Sequence, residues 1–147
     1  MKNPAWQFEN SAEAAVPRWF AWEFWSDVSN WERIEGAGVE WIRLEGAFAR
    51  GAIGATKMPG QDPQRWVISD LEVGRSATIE MSLVGAIFSI ETRFETLDQG
   101  HTLINQHMTL TGERADEYVA ATSVFEMSAP QGLAKLVAAM ESARSLA

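Results

Sequence analysis

The sequence predicts a two-layer α+β domain, in which one antiparallel sheet is covered on a single side by a long amphipathic helix. Three observations predict it. The middle of the chain holds strand-length segments whose polarity alternates, clusters of glycine and proline punctuate them, and the tail after Gly112 repeats at helical period. A sheet with one dry face needs a helix to cover it, and the tail supplies one.

The elements follow in order. From Trp6 to Glu13, residues Trp6, Phe8, Asn10 and Ala12 share one side, and Gln7, Glu9, Ser11 and Glu13 the other, which is strand period. Pro17 suits the first turn of a helix, where its missing N–H costs nothing. Arg18–Asp27 then runs at helical period, with Phe20, Ala21, Trp22, Phe24 and Trp25 on one arc and Trp19, Glu23, Ser26 and Asp27 on the rest. A second short helical turn is expected near Trp31, before a loop over 35–38.

Breaks at Gly46, Pro59–Pro63, Gly74, Gly85, Asp98–Gly100 and Gly112 leave about six further strands. Three of these alternate cleanly. Ala77, Ile79, Met81 and Leu83 form one dry face; Phe88, Ile90, Thr92 and Phe94 form a second; Ile104, Gln106, Met108 and Leu110 form a third. Trp66–Leu71 is less regular, with bulky residues on both sides. In the tail, Leu133, Leu136, Val137, Met140 and Ala143 fall within about 120° of a helical wheel. Tyr118, Thr122, Phe125 and Ala129 extend that stripe, and Pro130 predicts a kink or a break just before it.

Composition narrows the function. The chain has 147 residues, 46% hydrophobic and 22% charged, with 12 Lys+Arg against 20 Asp+Glu, hence a net charge of −8. That length suits one domain, spanning 1–147. The acidic balance builds no basic stripe and argues against nucleic acid. With no cysteine, thiolate chemistry, disulfides and Cys-ligated zinc or iron–sulfur clusters are excluded. The N-terminal segment is unlike a signal peptide, and no apolar run approaches the ~20 residues of a membrane helix, so a cytoplasmic location is expected. A monomer or homodimer without membrane insertion is expected. No nucleotide-, hydrolase- or metalloprotease-type motif occurs, and no cofactor is implied.

Several of these segments together resemble the SRPBCC superfamily, which includes START-type lipid-transfer domains, birch-pollen-allergen-like proteins and bacterial polyketide cyclase/dehydrase-like proteins. The segments are Val16–Asp27, Asn30-Trp31, Leu44–Gly51, Trp66–Arg75 and Gly100–Gly112. The resemblance implies a helix-grip fold: a curved seven-stranded antiparallel sheet wrapped around a long C-terminal helix, with one or two short helices between strands 1 and 2. It also implies a hydrophobic cavity between sheet and helix. Members bind lipids, hormones or polyketides, and only some are enzymes.

The tryptophans carry most of the remaining signal. The chain has seven Trp and seven Phe, and six of the Trp fall between Trp6 and Trp41. So many indoles fill a core or line a pocket for an apolar molecule. Trp22, Trp25, Trp41 and Trp66 are the candidate indole wall. Met81, Phe88, Ile90, Met108 and Phe125 lie on the inward-facing stripes. Gln106 and Thr92 are polar groups on dry faces, where each needs a hydrogen bond, and Tyr118 and Thr122 lie on the inner stripe of the tail. These four are the candidates for orienting a ligand.

The expected partner is a small hydrophobic molecule such as a lipid, isoprenoid, polyketide or aromatic, bound without catalysis. An alternative is a cyclase or dehydratase, which needs a buried proton-moving group such as Glu23, Asp70 or an inward Arg. A third reading is an interaction module with exposed aromatics. His101 and His107 stand about 20 Å apart on one strand, too far to share a metal, and His107 has wet-face parity. Glu91, Arg93 and Glu95 alternate on one strand face and read as solvated charges.

Overall fold

A computed structural model describes residues 3–35 and 39–146. Seven strands form one sheet: β1 (Trp6–Ala14), β2 (Trp41–Leu44), β3 (Ile53–Lys57), β4 (Gln64–Glu72), β5 (Ser76–Leu83), β6 (Ala86–Thr96) and β7 (Thr102–Thr111). Two short helices, α1 (Arg18–Trp25) and α2 (Ser29–Glu35), connect β1 to β2. After β7 come a 3-10 turn (Ala115–Tyr118), a single turn α3 (Val119–Thr122) and the long helix α4 (Phe125–Ser145). The loop expected over 35–38 begins at the end of α2 and otherwise lies outside the described residues.

Every strand pair is antiparallel, in the order β1-β7-β6-β5-β4-β3-β2. Tight connections keep consecutive strands from β2 to β7 adjacent. The glycines at the breaks earn their places: Gly74 and Gly85, for example, turn the β4–β5 and β5–β6 hairpins with φ of 81° and 74°. In β4 the register shifts between Ile68 and Asp70, so Ser69 is an extra residue. That bulge exchanges the two faces in mid-strand, which is why bulky residues appear on both sides of the pattern.

Helix α4 lies across the dry face. Leu133, Leu136 and Met140 join Ala14, Ala77, Phe94 and Ile104 from four strands in one buried cluster, with Trp22 and Trp25 of α1. The helix runs unbroken through Pro130. Proline forfeits only the bond to the carbonyl of exposed Glu126, which water can satisfy. The expected interruption falls earlier, at Ser123–Val124. There the Thr122 hydroxyl donates to the Tyr118 and Val119 carbonyls (3.1 and 3.2 Å), and Ser123 Oγ donates to Ala120 O (3.0 Å). Hydroxyls that bond back to their own helix compete with its ladder.

Thr102, fully buried at 0% exposure, donates from Oγ1 to Val16 O at 2.7 Å and ties β7 to the β1–α1 corner. Thr102→Val keeps the shape and leaves that carbonyl unpaired. A loss of about 1–3 kcal/mol is expected in urea denaturation. Wild-type stability in this variant would show that the bond carries no weight.

Candidate functional site

Between the dry face of the sheet, α2 and α4 lies a half-open cavity of about 290 Å³. Trp25 and Trp31 form one wall, their ring centroids 5.7 Å apart. Both come from the α1–α2 corner, which Trp31 locks by donating its indole N–H to Trp25 O at 2.6 Å. Ile79, Ile90, Thr92, Gln106 and Met108 of β5, β6 and β7 form the floor, with Ile34 of α2 at the side. Phe125, Ser128, Ala129, Gly132, Leu133 and Leu136 of α4 form the roof. Phe88 backs Phe125 with stacked rings at 5.2 Å.

Six of the sequence-derived candidates therefore meet at the cavity: Trp25, Ile90, Thr92, Gln106, Met108 and Phe125. The other seven are placed elsewhere. Trp22 is buried beside the cavity, edge-on to Phe94 (5.7 Å) and Phe48 (6.0 Å). Trp66 lies under Trp31 and donates its indole N–H to Thr56 Oγ1 at 3.1 Å. Trp41 is on the outer face of β2, with the Arg43 guanidinium 4.4 Å above its ring. Ile42 has the inward parity and is buried, so its neighbours at 41 and 43 point out.

Met81 and Phe88 do not border the cavity but pack behind it, in a cluster with Trp6, Leu110 and the lining residues Met108 and Ala129. Tyr118 spends its hydroxyl on Val84 O at 2.8 Å, and Thr122 bonds back to its own helix. Neither borders the cavity. Trp31, Ile34, Ser128 and Gly132 line the cavity without belonging to any inward stripe of the sequence. Ile79, Ala129, Leu133 and Leu136 were legible only as members of apolar stripes.

The polar chemistry of the floor is sparse. Gln106 Nε2 donates to Thr92 Oγ1 at 3.3 Å, across the β6/β7 pair. Among the described residues, no lining side chain is ionisable. Glu23 is exposed on the outer arc of α1, and Asp70 is exposed and paired with Arg50 at 2.7 Å. His101 and His107 lie on the wet face beside Glu13 and Gln7, each at 3.1 Å. The Arg114 guanidinium forks onto Glu117 (2.7 and 2.8 Å). That contact holds the Glu117 carboxyl below its usual range and raises Arg114, both at the exposed surface away from the cavity. No cluster of His, Asp and Glu among the described residues could hold a metal. Nor is any described helix long and apolar enough to cross a membrane. Of the tryptophans, Trp19 is the exposed one, at 55%, and Arg144 covers its ring at 5.1 Å.

No protein-family model matches the sequence, and no curated protein matches it. Solved structures do. The chain is similar to norcoclaurine synthase from Thalictrum flavum, at 11% identity and a TM-score of 0.71 over 90% of each chain. It is similar to the Zhui aromatase/cyclase from Streptomyces sp. R1128, at 18% identity and a TM-score of 0.70, covering 92% of this chain and 93% of that one. A protein from Nitrosomonas europaea gives a TM-score of 0.76 at 8% identity, over 95% and 96% of the two chains. At these identities the likeness establishes the fold: the helix-grip architecture of the Bet v1-like and SRPBCC proteins.

Proposed function

We propose that the chain binds a small hydrophobic molecule in the cavity between sheet and α4, as a carrier or sensor rather than a catalyst. One observation carries this reading: an aromatic-walled space of about 290 Å³ whose lining, among the described residues, has no ionisable side chain. An apolar cavity of ~150 Å³ holds one benzene, so this space suits a guest of one or two rings rather than a long-chain lipid. Affinity comes from apolar burial and stacking on Trp25, Trp31 and Phe125.

A panel of one- and two-ring compounds, followed by thermal melting and tryptophan emission, tests it. Binding guests raise the melting temperature, by about 2.7 kcal/mol of stabilisation at a hundredfold excess over Kd. If no member of the panel moves either signal, the proposal fails.

Gly132 offers a second test. It sits inside α4, where glycine costs roughly 0.5–1 kcal/mol relative to alanine, yet a Cβ there would meet nothing within 4 Å. Gly132→Leu should therefore fold at least as stably as the wild type while losing tenfold or more in guest affinity. Unchanged affinity would place the guest elsewhere.

A catalytic reading draws on the aromatase/cyclase likeness. Among the described residues the cavity offers no proton-moving side chain, so Gln106 or Thr92 would have to act through water. No turnover of a β-polyketone is expected, and turnover abolished by Gln106→Leu would reverse that assignment.

A further inference from the structure

Asn10 is a buried polar group that the cavity lining does not include. Its Nδ2 and Oδ1 are both sealed from solvent, and neither has a hydrogen-bond partner. Its position is telling. Asn10 faces Gln106 directly across the β1/β7 pair, and Gln106 faces Thr92 directly across the β6/β7 pair. Three polar side chains thus form a row over three adjacent strands, flanked on their own strands by Phe8, Ala12, Ile104, Met108, Ile90 and Phe94. Each of the two amides carries two N–H donors and an acceptor, and the threonine adds a hydroxyl. Among the described residues, the single side-chain bond within the row is Gln106 Nε2 to Thr92 Oγ1.

A row with so much unused hydrogen-bonding capacity is costly beneath a purely hydrocarbon guest. Such a guest would exclude water from Gln106 and Thr92 and return no bond, and each group left unmet weakens binding. A charged guest would fare worse, because among the described residues no lining side chain can neutralise it. A neutral ring compound bearing a hydroxyl or carbonyl meets both demands. It stacks on Trp25 and Trp31 and places its oxygen on the floor.

Resting on the cavity reading above, we infer that the Asn10–Gln106–Thr92 row selects neutral one- or two-ring aromatics with a hydroxyl or carbonyl over hydrocarbons of the same shape. Gln106 and Thr92 touch the guest. Asn10 is a positioning residue: it stands directly across from Gln106 with both polar atoms unpartnered, so it is the second neighbour to which the Gln106 amide can turn. Rotating the Gln106 amide by half a turn exchanges a donor for an acceptor, so its choice between Thr92, to which it donates here, and Asn10 decides which group the guest must bring.

Equilibrium dialysis with naphthalene, 2-naphthol and 2-naphthoate tests the inference, since the three share one ring frame. In the wild type, 2-naphthol should bind at least tenfold more tightly than naphthalene, although naphthalene is the more hydrophobic, and 2-naphthoate should not bind measurably. Gln106→Leu and Thr92→Val should bring the naphthol preference to about one or reverse it. Asn10→Leu should cut it at least fivefold. The preference, rather than either affinity, is the readout, because a merely structural change weakens both neutral probes alike and leaves their ratio intact. If both neutral probes bind and naphthalene binds as well as 2-naphthol, the inference falls and the cavity reading stands. An unchanged ratio in Asn10→Leu removes Asn10 from the row. If neither neutral probe binds, the inference falls together with the cavity reading.

Discussion

Phe94→Ala should destabilise the protein by about 3–5 kcal/mol, the usual cost of emptying a large aromatic site in a packed core. Phe94 is 2% exposed and stands where the sheet, α1 and α4 meet. Its ring centroid is 5.7 Å from that of Trp22 and 5.4 Å from that of Trp25. Removing it leaves two indoles facing a void. Domains of this kind are stable by only about 5–15 kcal/mol, so much of the margin disappears. The midpoint of urea denaturation should fall with little change in slope, and the melting temperature should drop by roughly 10–15 °C. Because Trp25 is also a cavity wall, guest affinity should fall as well. A loss under 1 kcal/mol would mean that the three rings do not share one packed cluster.

Gly54→Ala is the second large effect, and it acts by crowding instead of emptying. Gly54 of β3 faces Trp66 of β4 in the ladder, and the indole lies across it. A Cβ at residue 54 would come 2.2–2.5 Å from three carbons of that ring, closer than real contacts allow. The indole has nowhere to retreat. It is 4% exposed, held to Thr56 Oγ1 by its N–H, and packed against Trp31 with centroids 5.4 Å apart. Overpacking of this kind costs about 1–3 kcal/mol, with more when the hydrogen bond is lost too. The disturbance should pass through Trp31 to the cavity, so tryptophan emission and guest affinity should change together. Thr56→Val is the control that removes the bond without the clash, and it should cost less. Wild-type stability in Gly54→Ala would refute the placement of the ring over the glycine.

The faces of the strands could be read from alternation alone. Thr92 and Gln106 carry dry-face parity in the chain, and both reach the floor of the cavity. The helical wheel likewise separates buried Trp22 and Trp25 from exposed Trp19 and Glu23. Trp41 belongs to the candidate indole wall in the sequence, yet the four residues of β2 obey the parity of Ile42 and carry it outward. The bulge at Ser69 hid the alternation of β4, and back-bonding hydroxyls at Thr122 and Ser123 moved the helix interruption ahead of Pro130.

Periodicity belongs to the chain and survives without its partners, so β1, β5, β6 and β7, the amphipathic tail and the polar intruders on dry faces were determined by the order of amino acids. Register and leftover volume belong to the assembled molecule. Only the pairing of β1 with β7, far apart in sequence, places Asn10 beside Gln106. Only the packing of α4 over the sheet decides that Trp31 and Gly132 border an open space while Trp22 and Trp66 fill solid ones. A cavity is what side chains fail to occupy, and no single segment contains that information.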